Sequence, residues 1–382
     1  MKIREKRIPS AGPSITKKEI DKVTEAMEVG WGSKMNFYID SFVDKFSEFI
    51  GKKYCLPTAH CTDAIHLSLL AKGINSGDEV IVPDLSWVAS ASPITYVQAT
   101  PVFVDIDPIS LCIDSKSIEN AITKKTKAIM AVDLIGNMPD WDELQKIAED
   151  NNLIVIEDAA EGLGATYKNK NAGTFGDISL FSFNATKLIM SGQGGMLCTD
   201  DEEIYIKAKL LSHQGIKKEL GHEYFWSTEI GYNYNWTNIQ AALALAQLER
   251  IEELIQYKEW LFRKYEQCLS EVEGITLNQN HSDVDPCFWM TIAIVDENLG
   301  LSKQELVKQF DNYNIDIRPM FYPISSMPPY QKYIKNSAEN YNPNATSLSA
   351  RGICLPSGNN LTDEEVEYIC EAFKLILKKS NE

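Results

Sequence analysis

Residues 154–195 hold the side chains whose types and spacing could do chemistry. Ile154-Val-Ile-Glu-Asp158-Ala-Ala-Glu161 puts an acid at the end of an apolar, β-branched run. Gly173-Thr-Phe-Gly-Asp177 follows, and then Phe181-Ser182-Phe183-Asn-Ala-Thr-Lys187, just ahead of Gly192-Gln-Gly194-Gly195. Open α/β sheets meet their ligands at the C-terminal ends of strands, which is where Asp158 falls. A carboxylate there can keep a pyridine nitrogen protonated, and a lysine amine can form a Schiff base with an aldehyde. Together they suit pyridoxal 5'-phosphate. Each residue alone has a plainer reading. A strand-end Asp commonly caps a helix or turn, and a lysine beside a Gly-rich loop is commonly a solvated charge. Only the combination points to the cofactor.

Such a pair needs rigid elements on both sides. Val80–Val82, Pro101–Val104, Ala128–Val132, Leu153–Ile156, Ser179–Phe183 and Met196–Thr199 are short, almost continuous apolar runs. They predict strands covered on both faces, hence a mostly parallel sheet. Helices between them, such as Met138–Asn151, complete βαβ units. Thr16 with Glu19 predicts a capping box that opens a helix through about Val29. A second helix is expected from near Asn36, with the stripe Phe37, Phe42, Phe46 and Phe49. Thr237 to about Glu271 reads as one long helix joining a large domain to a smaller one. Beyond it lie strand-like Trp289–Val295, helix-like Ser302–Tyr313, a Pro-rich loop over Arg318–Pro329, and a last helix from Thr362 with Glu365 as its capping partner. The expected division is residues 1–250 and 251–382.

Composition removes several function classes. A formal charge of −17 disfavours a nucleic acid partner, because phosphate backbones are bound by basic faces. The basic start has no apolar segment behind it, and no run approaches the about 18 apolar residues that span a membrane. The eight cysteines are scattered with no CxxC pair, so neither a metal site nor a disulfide framework is expected, and reduced cytoplasmic thiols fit. Neither Gly162-Leu-Gly164 nor Gly192-Gln-Gly194-Gly195 makes a dinucleotide fingerprint, so NAD binding is rejected.

The chain resembles the DegT/DnrJ/EryC1/StrS family of sugar aminotransferases from about Pro9 to Phe373. The resemblance is carried by Gly77-Asp-Glu-Val-Ile-Val-Pro83, Ala99-Thr-Pro-Val-Phe-Val-Asp105, Thr126-Lys-Ala-Ile-Met130, Ile156-Glu-Asp-Ala-Ala160 and Gly231-Tyr-Asn-Tyr234. It implies an aspartate-aminotransferase-like α/β fold: a large domain with a mostly parallel seven-stranded sheet, and a smaller C-terminal α+β domain. It assigns Lys187 as the Schiff-base lysine, Asp158 to the pyridinium nitrogen and Glu161 to the phenolic oxygen. Trp87 takes the aromatic position that stacks on the ring, against the plainer reading of a core tryptophan. Thr62 and Asp63 open a helix whose free N–H groups would hold the phosphate, helped by Ser182. Asn233 matches a residue that reaches the phosphate from the other subunit, which implies a homodimer. The implied substrates are L-glutamate and a nucleotide-linked 4-keto-6-deoxy-hexose. Arg250, Arg318, Lys217 and Lys218 are candidates for its diphosphate, with His213 and Tyr322 near the sugar. One branch of the family carries histidine in place of the lysine and dehydrates its sugar; Lys187 implies transamination.

Three positions depart from the family. The phosphate turn, usually Ser/Asn-Gly-Thr, reads His60-Cys61-Thr62, so a side chain stands near the cofactor where glycine is common. Gly-x-Asn-x-Arg ends here in Asn235, and Ser325 stands where histidine is common. All three touch the cofactor's edge or the substrate, which leaves two alternatives open. One is the same chemistry on another keto-sugar or keto-cyclitol; the other is a non-catalytic, cofactor-binding regulator.

Overall fold

The computed structural model describes residues 2–217, 226–334 and 341–380. Helices α1 (Lys17–Val29) and α2 (Phe37–Ile50) lead into strand β1 (Tyr54–Thr58). Helix α3 (Cys61–Ala71), β2 (Glu79–Pro83), α4 (Ser92–Tyr96), β3 (Thr100–Val104), α5 (Ser115–Ala121), β4 (Thr126–Val132), α6 (Trp141–Asn151) and β5 (Ile154–Asp158) then alternate. A hairpin of β6 (Thr166–Tyr167) and β7 (Lys170–Asn171) precedes β8 (Ile178–Ser182), β9 (Gly195–Thr199) and α7 (Glu202–Ser212). There follow α8 (Asn238–Leu248), α9 (Ile251–Leu269), β10 (Ile275–Leu277), β11 (Val284–Asp285) and β12 (Ile292–Val295). The chain ends with α10 (Lys303–Asp311), β13 (Arg318–Pro319), α11 (Pro343–Arg351), β14 (Gly352–Cys354) and α12 (Asp363–Ser380).

The main sheet has seven strands in the order β1-β9-β8-β5-β4-β2-β3. Within it β2, β3, β4, β5 and β8 run parallel, and β9 pairs antiparallel with both neighbours. Helices on both faces explain why its central strands are buried along their length. A second, four-stranded antiparallel sheet, β10-β12-β14-β13, packs with α9, α10 and α12 around its own apolar core. Ile8 lies in that second core, bridging to Ile315.

Four details differ from the expectation. Strand β1 was not foreseen. It contains Pro57, which an edge strand tolerates and a central one does not. Phe37 is exposed, because α2 begins there and buries the i, i+4 face of Tyr38, Phe42, Phe46 and Ile50 instead. The single long helix is two, broken at Glu249–Arg250. The strand expected from Trp289 begins only at Ile292, since Phe288 adopts φ +49° and turns the next residues toward the sheet's ligand-binding end. The capping box expected at Thr16 is present, Thr362 and Glu365 bond each other's backbone N–H ahead of α12 as expected, and Ser302 with Glu305 forms a further box at the start of α10.

Candidate active site

The C-terminal ends of β4, β5 and β8 open into a cavity of about 680 Å³, met by Val132, Asp158 and Ser182. Its walls come from the start of α3, from residues 86–90, from the loop after β8, and from residues 318–322. Of the residues expected at the site, Thr62, Trp87, Asp158, Glu161, Ser182, Lys187, Arg318 and Tyr322 line this one space. Trp87 is 59% exposed, which removes the core-tryptophan reading.

Lys187 stands on the loop between β8 and β9. That loop is closed by Phe183 N–H to the Gly194 carbonyl and by Ser191 N–H to the Phe183 carbonyl, both 2.9 Å. Its Nζ donates to Glu161 Oε1 at 3.2 Å and lies 3.8 Å from the centre of the Trp289 ring. Asp158 is buried at the end of β5, accepting from Ser90 Oγ at 2.7 Å and from Ala160 N–H at 3.3 Å. Burial pushes its carboxyl up, against those hydrogen bonds and the Lys187 charge. Glu161 is raised by burial too, opposed chiefly by Lys187 and by the Ile135 N–H at 2.9 Å. A cation beside Asp158 would therefore relieve a carboxylate that the protein alone leaves under-compensated.

The neighbouring Glu157 has another role. Its fully buried carboxylate accepts from Gly173, Phe175 and Gly176 N–H groups and from Ser179 Oγ. Asp177 accepts from Val155 N–H at 2.8 Å. The Gly173–Asp177 motif is thus a cradle that fixes β5, and through it Asp158.

A phosphate would meet the start of α3. His60 gives that helix no side-chain cap, so first-turn N–H groups are left for a ligand. The turn can approach β9 only because residue 195 is glycine: a Cβ there would lie 2.5 Å from Cys61 N. The arrangement fits pyridoxal phosphate in kind, with a lysine for the aldehyde, a buried carboxylate for the ring nitrogen and an uncapped helix N-terminus for the phosphate. Cys61 lines the cavity, so the change from glycine reshapes this end.

Other expected residues lie elsewhere. Asp63 turns its carboxylate to His60 Nδ1 at 3.1 Å and does not line the cavity. Asn233 and His213 form an antiparallel bridge outside it, tied by the Asn235 amide at 3.0 and 3.1 Å. Lys217 is exposed, and Lys218 lies outside the described residues. Arg250 is a correction. Its guanidinium is buried against Glu19 at 2.7 Å, Ser14 and Glu253, and all its reach is spent there, away from the cavity.

Two cavity residues had no assigned role. Ser90, which donates to Asp158, sits in a run with no distinguishing pattern. Trp289 covers Lys187, its indole N–H donating to the Thr186 carbonyl at 2.9 Å. In the sequence it was marked only as the first residue of the strand-like run Trp289–Val295 and as part of the Phe288-Trp-Met290 segment. Ser325 is buried and donates to Asp84 Oδ2 at 2.6 Å, so in this chain it pins the cavity's outer loop.

A profile of the DegT/DnrJ/EryC1/StrS aminotransferase family matches residues 13–374. GDP-perosamine synthase of Caulobacter vibrioides is 38% identical over 97% of this chain and 98% of its own length. That of Escherichia coli O157:H7 is 40% identical over 96% and 98%. Spr1654, a Streptococcus pneumoniae protein assigned as a sugar aminotransferase, has been solved in its PLP form. It superposes with a TM-score of 0.89 at 29% identity, covering 98% of this chain and 99% of its own. PseC of Helicobacter pylori, an aminotransferase of pseudoaminic acid biosynthesis, gives 0.89 at 26% identity over 98% and 100%. Likeness of this extent, on the same fold and with Lys187 and Asp158 facing one cavity, settles the class: the chain belongs to the DegT/DnrJ/EryC1/StrS aminotransferase family and is a pyridoxal-phosphate-dependent sugar aminotransferase.

Proposed function

We propose that this enzyme moves the amino group of L-glutamate onto a nucleotide-linked 4-keto-6-deoxy-hexose, giving the 4-amino sugar for a surface polysaccharide. The reading follows the GDP-perosamine synthases, with which the chain shares 38% and 40% identity. The observation that carries it is Lys187 Nζ, held over the cavity by Glu161 and Trp289 beside the buried Asp158.

The bound cofactor supplies an electron sink for the carbon that loses or gains the amino group. Lys187 Nζ would hold it covalently. As a free amine, Nζ would be the base that takes the proton from the donor's α-carbon and returns it on the acceptor side. Asp158 would keep the ring nitrogen protonated, and Ser90 and the Ala160 N–H keep Asp158 oriented. Glu161 would meet the phenolic oxygen. The first turn of α3, with Thr62 and Ser182, would hold the phosphate. Trp87 lies on the open side, where an exposed ring can stack. Arg318, ion-paired only to Asp316 at 3.0 Å among the described residues, is the cation available to a sugar diphosphate or a glutamate carboxylate.

The working unit in this proposal is a homodimer. Asn233 and His213 stand outside their own chain's cavity, which supports a role in the partner's site. Eight free cysteines suit a reducing cytoplasm. Among the described residues no helix is long and apolar enough to cross a membrane.

Amino-sugar formation from glutamate and a panel of nucleotide-linked keto-sugars tests the substrate. No turnover of any member would overturn that part of the reading. The variant Lys187→Ala serves as control: it should lose transamination while keeping its thermal midpoint, and retained turnover would remove Lys187 from its role.

A further inference from the structure

The cavity wall at Met320–Tyr322 is held, besides the buried Met320 side chain, by a buried cation that the chemistry above does not use. Lys303 is the first residue of α10 and only 2% exposed. Its Nζ donates to the Met320 carbonyl at 3.0 Å and to Ser349 Oγ at 3.0 Å, and it lies 3.6 Å from the centre of the Tyr322 ring. Ser349 Oγ donates in turn to the Phe321 carbonyl at 2.6 Å. The carbonyls of two successive wall residues and the ring of the third therefore converge on one ammonium group and the hydroxyl beside it. Gln304, the next residue of α10, donates to Tyr322 Oη at 3.1 Å.

Burying a lysine without a carboxylate is expensive, and none of the described carboxylates pairs with this one. What the fold gains is a fixed position for Met320, Phe321 and Tyr322, all of which line the cavity. The far end of the loop is pinned separately. Asp84 accepts from Ser325 N–H at 2.8 Å, Ser325 Oγ at 2.6 Å and Asn342 Nδ2 at 2.9 Å. Tyr322 is 46% exposed, so one face rests on the ammonium while the ring still meets the cavity.

We propose that Lys303 is a positioning residue for the acceptor sugar, fixing Tyr322 and the Met320–Phe321 backbone so that the aromatic face meets the C–H face of the bound hexose. The proposal rests on the keto-sugar reading above. An aromatic ring held from behind by a cation presents an apolar surface at low entropic cost. Burial also lowers the Lys303 ammonium from the ordinary lysine range to about 8, opposed only by the Cys354 thiol on β14. The remaining groups facing it are the Ser349 hydroxyl on α11 and the Tyr322 phenol ring. As pH rises through that value the cation is lost, and its hold on the ring goes with it.

The test uses the holoenzyme with glutamate saturating and the keto-sugar varied. Lys303→Met should raise KM for the sugar about tenfold while kcat changes less than about threefold, and Lys303→Arg, which keeps a cation, should restore most of the loss. Wild-type KM should climb above about pH 8, and that climb should vanish in Lys303→Arg, whose guanidinium stays charged. Amide hydrogen exchange across residues 320–322 should quicken in Lys303→Met and not in Lys303→Arg. A fall in kcat at constant KM, or unaltered exchange in that segment, would overturn the proposal. If Lys303→Met does not fold, Tyr322→Leu, at a half-exposed position, should reproduce the KM rise; an unchanged KM there overturns it equally. Absence of turnover in the wild type would count against the keto-sugar reading alone, because the exchange measurement decides the role of Lys303 without substrate.

Discussion

Arg250 separates a structural role from a substrate role by measurement. Its side chain bonds Glu19 and Ser14 across the start of the chain, and Glu19 is 1% exposed. Burial alone would raise the Glu19 carboxyl. Hydrogen bonds from Thr16 and Arg250 overcome that and hold it at about 2. A displacement of that size from the ordinary value of 4.5 corresponds to about 3 kcal/mol. Removing one partner of a buried pair costs about 3–5 kcal/mol in other proteins, because the surviving charge stays buried. Arg250→Met, which keeps most of the apolar stem, should therefore lose about 3 kcal/mol of stability. Adding Glu19→Gln, which removes the stranded charge and keeps an acceptor, should recover about half of it. The assay is urea unfolding of the apo-protein at one fixed concentration, since dimerisation would shift the midpoint. The pH sign is set by a depressed carboxyl. The stabilisation from Glu19 is fully present above its unfolded value near 4.5, and it is lost as pH falls toward about 2. An unchanged midpoint with a raised KM for the nucleotide-sugar would refute this reasoning and return Arg250 to the substrate.

Two further outcomes follow from the buried acids behind the cavity. Ser90→Ala removes a 2.7 Å donor from Asp158, a bond to a charged group worth about 1.5–3 kcal/mol. Titrating the apo-protein with pyridoxal phosphate should show affinity weakened about tenfold, and equal affinity would mean that Ser90 does not support Asp158. Asp133 is fully buried, with neither carboxylate oxygen hydrogen-bonded among the described residues. Burial, then Glu157, Asp158 and Glu161, push its carboxyl well above the usual range. The folded chain therefore keeps a proton that the unfolded chain releases, and the group destabilises progressively as pH rises past the ordinary aspartate value. Asp133→Asn should gain thermal midpoint over wild type between about pH 5 and about pH 8. A difference that stays flat or shrinks over that range would contradict a protonated Asp133.

The cofactor half of the site was legible because it is local in sequence. Asp158 and Ser182 end two strands adjacent in the sheet's middle, and Glu161 and Lys187 follow them closely, so apolar runs and residue types pointed to Asp158 and Lys187, and the family resemblance added Glu161 and Ser182. The acceptor half is assembled from distant segments. Trp289 comes in where a predicted strand starts three residues late, and the Met320–Tyr322 wall comes from a loop whose prolines marked only irregular chain. Lys303 reads as a surface residue of an amphipathic helix until the fold closes over it. The break between α8 and α9 contains no glycine or proline. It coincides with Arg250, whose guanidinium pairs with a carboxylate 231 residues away, and no local pattern encodes such a contact. The same division governs function. Residues proposed to act on the cofactor sit where the sheet puts them, and the reaction class was implied by the family resemblance, with Lys187 standing where one branch has histidine. Residues proposed to meet the acceptor depend on long-range polar pins such as Lys303–Met320 and Asp84–Ser325, each a hydrogen bond whose loss would shift the wall without disturbing Lys187. On the proposed reading, substrate choice can thus change through those pins while Lys187 and Asp158 stay where they are.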